Sequence, residues 1–211
     1  PPPGRLGMPA GRVLTVVLVG LLAWTLLFGP ELRRAAEAQP LGLRRSVSRA
    51  VLAPVVWVSD VTFVHTDEGY IYLSLITDLV SRRIVGWNAG DTNAATECIK
   101  ALQIAIAQLP GGRWPIHHSD RGSQYCCHEY VAILKARGLP VSMTEQNHCY
   151  ENCYAERVNG ILKDEFNLDR KFRTRAQAKQ AIAQAIQTYN ARRPHTSLQM
   201  RTPNEVHQLA A

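Results

Sequence analysis

The sequence lacks a paired-cysteine pattern. Its 211 residues hold five cysteines, an odd number, and two of them are adjacent, Cys126 and Cys127. That excludes a disulfide-stapled scaffold and points to reduced thiols in a cytoplasmic protein. No C-x2-C pair occurs either. Cys149 and Cys153 give only C-x3-C in a stretch that reads as loop, so these residues with Cys126, Cys127, His128 and His148 make no zinc-ribbon spacing. Internal repeats and low-complexity tracts are missing, which excludes a repeat array. Acids are scarce: 17 Asp and Glu stand against 24 Lys and Arg, a formal net charge of +7. Disorder along the whole chain is excluded by a hydrophobic fraction of 46%. The length suits about one to one and a half domains.

The positive charge is unevenly placed. Residues 1–49 carry seven Arg and two Glu, whereas 157–201 carry ten Lys or Arg against three Asp or Glu. The acids therefore gather between 60 and 156. An acidic centre followed by a basic tail suits a metal site working on a phosphate backbone, and equally an ordinary globule with a basic helix.

The first fifty residues differ from the rest. Residues 13–29 are an uncharged run of 17 residues. That exceeds an ordinary signal-peptide core and sits at the short limit for a spanning helix. Translation from Met8 would give a signal-like pattern ending at Ala36-Glu37-Ala38, but Glu31, Arg33 and Arg34 interrupt it. Three readings stay open: an export or membrane segment, a buried or interfacial helix, and sequence from a foreign frame. The expected division is an atypical segment over 1–51 and a globular domain over 52–211.

From residue 52 the pattern is that of an α/β domain. β-branched and aromatic residues predict strands over 55–64 and 70–78, joined by the turn Thr66-Asp67-Glu68-Gly69. A third strand is predicted over 83–89. Ile99, Leu102, Ile106 and Leu109 give helical spacing over 94–109, with an N-cap offered by Asp91-Thr92-Asn93. A short strand over 114–119, one helix over 125–137 and another short strand over 140–144 follow. Loop is expected over 145–153, then helices over 154–166 and 175–189. A hairpin start followed by α/β alternation predicts a mixed sheet flanked by helices.

Three carboxylates stand out. Asp60 sits inside an apolar strand, Asp120 lies just past a strand end, and Glu156 opens a helix. A charge inside a central strand is costly unless it is paired or binds a metal. Three acids converging at one side of a sheet would offer oxygen ligands to a hard divalent cation. Two such ions about 3.5–4 Å apart can activate an attacking oxygen and stabilise the leaving oxygen of a phosphodiester. Taken singly, each acid also fits a cap or an ion pair.

The ordered segments that carry these acids resemble a known family. They include Trp57-Val58-Ser59-Asp60-Val61-Thr62, His117-His118-Ser119-Asp120-Arg121-Gly122-Ser123, Ala155-Glu156-Arg157-Val158-Asn159-Gly160 and Tyr189-Asn190-Ala191-Arg192-Arg193-Pro194-His195. Together they resemble the integrase core of bacterial insertion-sequence transposases, in the DDE superfamily with retroviral integrases. Thirty-five residues separate Asp120 from Glu156, the family's D,D(35)E spacing. The resemblance spans about 54–206. It implies an RNase H-like fold with a five-stranded sheet. It implies Asp60, Asp120 and Glu156 as catalytic ligands of two Mg²⁺ or Mn²⁺ ions. It further implies cleavage and strand transfer on double-stranded DNA, at transposon ends and target, by a homo-multimer. An inactive DNA-binding remnant and an RNase H-like nuclease are the alternatives.

Neighbouring residues complete the expectations. The resemblance places Lys163 on DNA phosphate, seven residues and two helical turns after Glu156. Arg157, Arg121, Arg192 and Arg193 are further candidates for DNA contact, with Arg170, Lys171, Arg173, Arg175 and Lys179 adding salt-dependent backbone binding. Thr62 shares the strand face of Asp60 and is read as supporting a carboxylate or a water, or as strand packing. Asn152 is read as ordering the loop beside Glu151, a rival third ligand. Of His117 and His118, strand alternation points one into the core and leaves at most one for the site. Residues 1–50 show no helix-turn-helix of the kind the family uses for end recognition.

Overall fold

In a computed structural model of the chain, residues 55–109, 114–143 and 153–209 are described. The run 13–29, the segment boundary at 51/52, Glu151, Asn152, His148 and Cys149 lie outside the described residues. No helix among the described residues is long and apolar enough to cross a membrane.

The described residues begin with three antiparallel strands, β1 (Val56–Thr66), β2 (Gly69–Asp78) and β3 (Ile84–Gly90). Thr66 makes the first reversal. Its hydroxyl donates to the Gly69 carbonyl at 2.7 Å and accepts from the Glu68 amide at 3.1 Å, while Gly69 takes φ +108°. That left-handed value is a glycine conformation. Helix α1 (Ala95–Ala107) then leads to β4 (Ile116–Ser119), and α2 (Ser123–Cys126) and α3 (His128–Ala136) lead to β5 (Val141–Met143). Helices α4 (Cys153–Asp164) and α5 (Arg175–Arg192), a 3-10 turn (Thr196–Leu198) and α6 (Pro203–Leu209) finish the chain. The sheet order is β3-β2-β1-β4-β5, with β4 parallel to both β1 and β5. This is the expected mixed five-stranded sheet.

Three local expectations are corrected. The N-cap of α1 is Ala94, with no side-chain cap, rather than a residue of 91–93. Packing of the apolar face holds this helix start without a capping hydroxyl or carboxylate. The helix expected over 125–137 is two helices, because Cys127 takes an extended ψ of 148° between them. Pro203 does not merely interrupt the tail: it opens α6, where a missing amide hydrogen costs nothing.

Both faces of the sheet are covered, which is why β1 reads apolar on both sides. Val64, Ile71 and Leu73 pack with Val158, Leu162, Ile182 and Tyr189 of α4 and α5. Trp57, Ile76 and Val85 pack with Leu102, Tyr130 and Leu134 of α1 and α3. The Asn190 side chain clamps β3 to α5, accepting from the Ile84 amide at 2.9 Å and donating to its carbonyl at 3.0 Å. The Tyr189 hydroxyl donates to the Arg82 carbonyl at 3.0 Å. These bonds give the Tyr189-Asn190 pair a structural role.

His117 and His118 are both buried, so neither faces an open site. His117 Nε2 lies 2.8 Å from the hydroxyls of both Ser59 and Tyr130, and His118 Nδ1 lies 3.1 Å from Ser142 Oγ. Alternation sends them to opposite faces, but helices or strand neighbours cover each. Burial pushes the His117 imidazole down to about 3. It therefore stays neutral in the fold and charges on unfolding below about 6.5. Its contribution to stability is present above that pH and is lost as pH falls, by about 1.4 kcal/mol per unit. Between pH 7 and pH 5 the parent should lose about 2 kcal/mol more stability in urea unfolding than His117→Gln does, and the same pH dependence in both chains would refute it.

Candidate active site

The register of two parallel strands builds the site. β1 and β4 pair from Val56↔Ile116 to Ser59↔Ser119. Asp60 and Asp120 are the next residues on each strand, so the two carboxylates sit side by side where the strands part. Neighbouring strands run about 4.8 Å apart, which brings these side chains into one recess. That recess has a volume of about 170 Å³ and is lined by Asp60, Thr62, Phe63, Tyr72, Asp120 and Gln124 among others. Thr62 thus shares the recess, although most of its surface is covered.

Helix α4 runs alongside β1 and brings the remaining groups. Asn159 Nδ2 donates to Asp60 Oδ2 at 2.7 Å, and Lys163 Nζ lies 4.9 Å from the centre of the Phe63 ring. Glu156, in the first turn of α4, acts electrostatically on Asp60. Tyr154, two residues before Glu156, lies under the Arg82 guanidinium at 4.4 Å.

The Asp60 carboxyl is raised to about 6. Burial is the largest cause, and the charges of Asp120 and Glu156 add to it. The Val61 amide, donating to Oδ1 at 2.9 Å, and Asn159 oppose the rise. Asp120 Oδ1 accepts from the Gly122 amide at 2.9 Å, which orients it at the mouth of α2. These are oxygen donors only, the set a hard divalent cation takes, and such a cation would offset both the burial and the mutual repulsion at Asp60. The donor chemistry therefore fits. Among the described residues, however, no group of three His, Cys, Asp or Glu is gathered closely enough to hold a metal ion. Asp60 and Asp120 share the recess, whereas Glu156 stays exposed and reaches Asp60 through its field.

Asn159 was not singled out in the sequence. The signal was there: it follows Glu156 by three residues, one helical turn along the same face. Its amide holds the central carboxylate, while its buried Oδ1 has no hydrogen-bond partner among the described residues. Asn159→Leu should lower metal-dependent cleavage by about 10- to 100-fold, the usual cost of losing a group that orients a ligand. Cleavage rates with far-ultraviolet spectra as a folding control check this, and an unchanged rate would refute it.

The basic residues divide. Arg193 was expected on DNA, but its guanidinium makes a two-pronged pair with Glu165, Nε donating at 2.6 Å and Nη2 at 2.5 Å. Its side chain is only 18% exposed, because it ties the end of α5 to the end of α4. Lys171 pairs with Asp67, and Lys179 and Arg175 face Asp91. These exposed pairs contribute little to stability. Arg157, Arg121 and Arg192 are exposed, and Lys163 is half-buried.

Comparison with known proteins agrees with this architecture. Two models described as integrase core domain match residues 51–149 and 137–203. The transposase for insertion sequence element IS904 of Lactococcus lactis is 33% identical over 178 residues, covering 82% of this chain and 69% of that protein. The chain belongs to the insertion-sequence transposases. A 31 kDa protein of insertion element IS600 from Shigella sonnei is 37% identical over 161 residues, covering 74% of this chain and 59% of the relative. The transposase for IS629 of Shigella sonnei is 30% identical over 194 residues, 90% of this chain and 65% of that one. The transposase chain thus spans 59% to 69% of the length of these relatives. The fold is that of retroviral integrase cores, RNase H-like. The catalytic core of HTLV-2 integrase, solved with magnesium, superposes with a TM-score of 0.57 at 21% identity, covering 72% of this chain and 95% of that one. A simian T-cell lymphotropic virus intasome chain gives 0.62 at 22% identity, covering 81% and 60%.

Proposed function

We propose that this chain is the catalytic core of a DDE transposase that cuts DNA at transposon ends and joins the freed 3′ ends to target DNA. The catalytic domain is residues 52–211, and it works in the cytoplasm as a homo-multimer on double-stranded DNA. The observation that carries the reading is the register Ser59↔Ser119, which sets Asp60 and Asp120 together with the field of Glu156 on Asp60.

Asp60, Asp120 and Glu156 would hold Mg²⁺ or Mn²⁺. When bound, two such ions supply activation of the attacking oxygen and neutralisation of charge on the leaving oxygen. The chain's own residues do the rest. Asn159 and the Val61 amide fix the plane of the Asp60 carboxylate, and Gly122 fixes that of Asp120. Lys163, Arg157, Arg121 and Arg192 bind phosphates and set the position of the duplex, without reading its sequence. No covalent protein–DNA intermediate is needed, since no side chain in the recess has to act as nucleophile.

The test is product analysis. The full chain, a labelled duplex carrying a transposon end and a plasmid target, with Mg²⁺ or Mn²⁺, should yield joined strands. Cleavage without joining would leave a nuclease, and DNA binding without cleavage would leave a remnant.

A further inference from the structure

Beside the carboxylates lies a surface that phosphate contact and metal chemistry do not use. In the β1–β2 pairing Phe63 faces Tyr72, and His65 faces Tyr70. These rungs are two apart, with Val64↔Ile71 between them, so strand alternation puts four rings on one face of the hairpin. The rings touch in sequence. Phe63 and Tyr70 are 5.6 Å apart edge to face, His65 and Tyr70 are 5.0 Å apart, and Tyr70 and Tyr72 are 6.4 Å apart. Phe63 is 46% exposed and Tyr70 47% exposed. A contiguous exposed aromatic patch on a small domain marks a contact surface.

Two observations identify what the patch meets. It is continuous with the active-site recess, because Phe63 and Tyr72 line that recess together with Asp60 and Asp120. A cation sits at the junction, with Lys163 Nζ 4.9 Å from the Phe63 ring centre. Rings for stacking beside a cation for phosphate are the combination that binds unpaired nucleic acid without regard to sequence. We propose that the Phe63–His65–Tyr70–Tyr72 face stacks unpaired nucleobases of a DNA strand leaving the active site, with Lys163 on the phosphate between recess and patch. This rests on the reading of the chain as a DNA-cutting transposase core. It adds a further subsite, one that holds frayed or displaced single strand.

The test reads binding alone, in chelator, so that cleavage plays no part. The full chain is titrated with a blunt duplex and with the same duplex carrying a single-stranded overhang that contains 2-aminopurine. The parent should bind the overhang duplex about tenfold more tightly than the blunt one, the scale of one stacked base, and should quench the 2-aminopurine. Tyr70→Leu should remove most of that preference and the quenching. Tyr70→Trp should keep both, which separates stacking from a mere folding defect. A parent that binds both duplexes equally would overturn the subsite and leave the transposase reading standing. A parent that binds neither DNA would overturn both. A Tyr70→Leu chain that changes its sedimentation but keeps the preference would assign the patch to a second copy of the chain and overturn the proposal.

Discussion

Asp60→Asn should lower metal-dependent cleavage at least a thousandfold while making the metal-free fold more stable. The two effects have one cause. Asp60 carries its charge in a mostly buried place beside Asp120 and Glu156, and its carboxyl is raised to about 6 as a result. Departure from the ordinary 3.8 corresponds to a native-state penalty of about 1–3 kcal/mol at neutral pH. The amide removes that charge and keeps the shape. One hydrogen bond survives, since an amide oxygen still accepts from Val61. Asn159 can turn its own buried oxygen, which has no partner among the described residues, toward the new amide hydrogens. The same change deletes a ligand oxygen from the catalytic set, and metal stabilisation of phosphoryl transfer is worth several kcal/mol. At about 1.4 kcal/mol per factor of ten, that is about a thousandfold. Parallel cleavage assays and urea titrations in chelator check both halves. A variant that is both inactive and less stable would refute the account of Asp60 as a strained charge.

The second large effect is structural and lies away from the site. A Cβ built at Gly86 would stand 2.3 Å from the Ala101 carbonyl oxygen and 2.8 Å from Ala105 Cβ. Both belong to α1, and a backbone oxygen at that distance cannot swing aside as a side-chain end can. Helix α1 therefore lies against β3 at a place only glycine allows. Gly86→Val should force α1 off the sheet and cost at least about 3 kcal/mol, at the upper end for overpacking. Because α1 shares its apolar cluster with α3 and with Trp57 of β1, the loss should lower the unfolding midpoint of the whole domain. Gly160 is the control: nothing lies within 4 Å of its added Cβ. Gly160→Ala should leave the midpoint unchanged or raise it, as Ala favours a helix interior over Gly. Equal effects at the two glycines would contradict the packing argument.

Much of this was legible before the structure. β1 showed itself through β-branched residues apolar on both faces, and both faces are covered. The hairpin turn showed itself in Thr66-Asp67-Glu68-Gly69, where the threonine side chain and the glycine conformation close the reversal. Asp60 and Asp120 were legible as costly acids at a strand centre and a strand end. Their adjacency was not, since it depends on the parallel register of two strands far apart in sequence. Asn159 was hidden because an asparagine inside a helix has many uses, and only the Asp60 contact picks out this one. The pairing of Arg193 with Glu165 was not legible either, because a charge count cannot see which acid lies opposite. That both His117 and His118 are buried was not legible, because alternation gives direction but not what covers each face.

The central claim is that Asp60, Asp120 and Glu156 together make a metal-dependent cutting site, although Glu156 is exposed and reaches Asp60 only through its field. The most direct measurement is nicking of supercoiled plasmid by the full chain with Mg²⁺ or Mn²⁺, beside Glu156→Gln. The account predicts metal-dependent nicking by the parent and at least a hundredfold less by the variant, with DNA binding kept, since a lost electrostatic contact to the transition state costs a few kcal/mol. Equal nicking by both chains would contradict it and make Glu151 the first residue to test as third ligand.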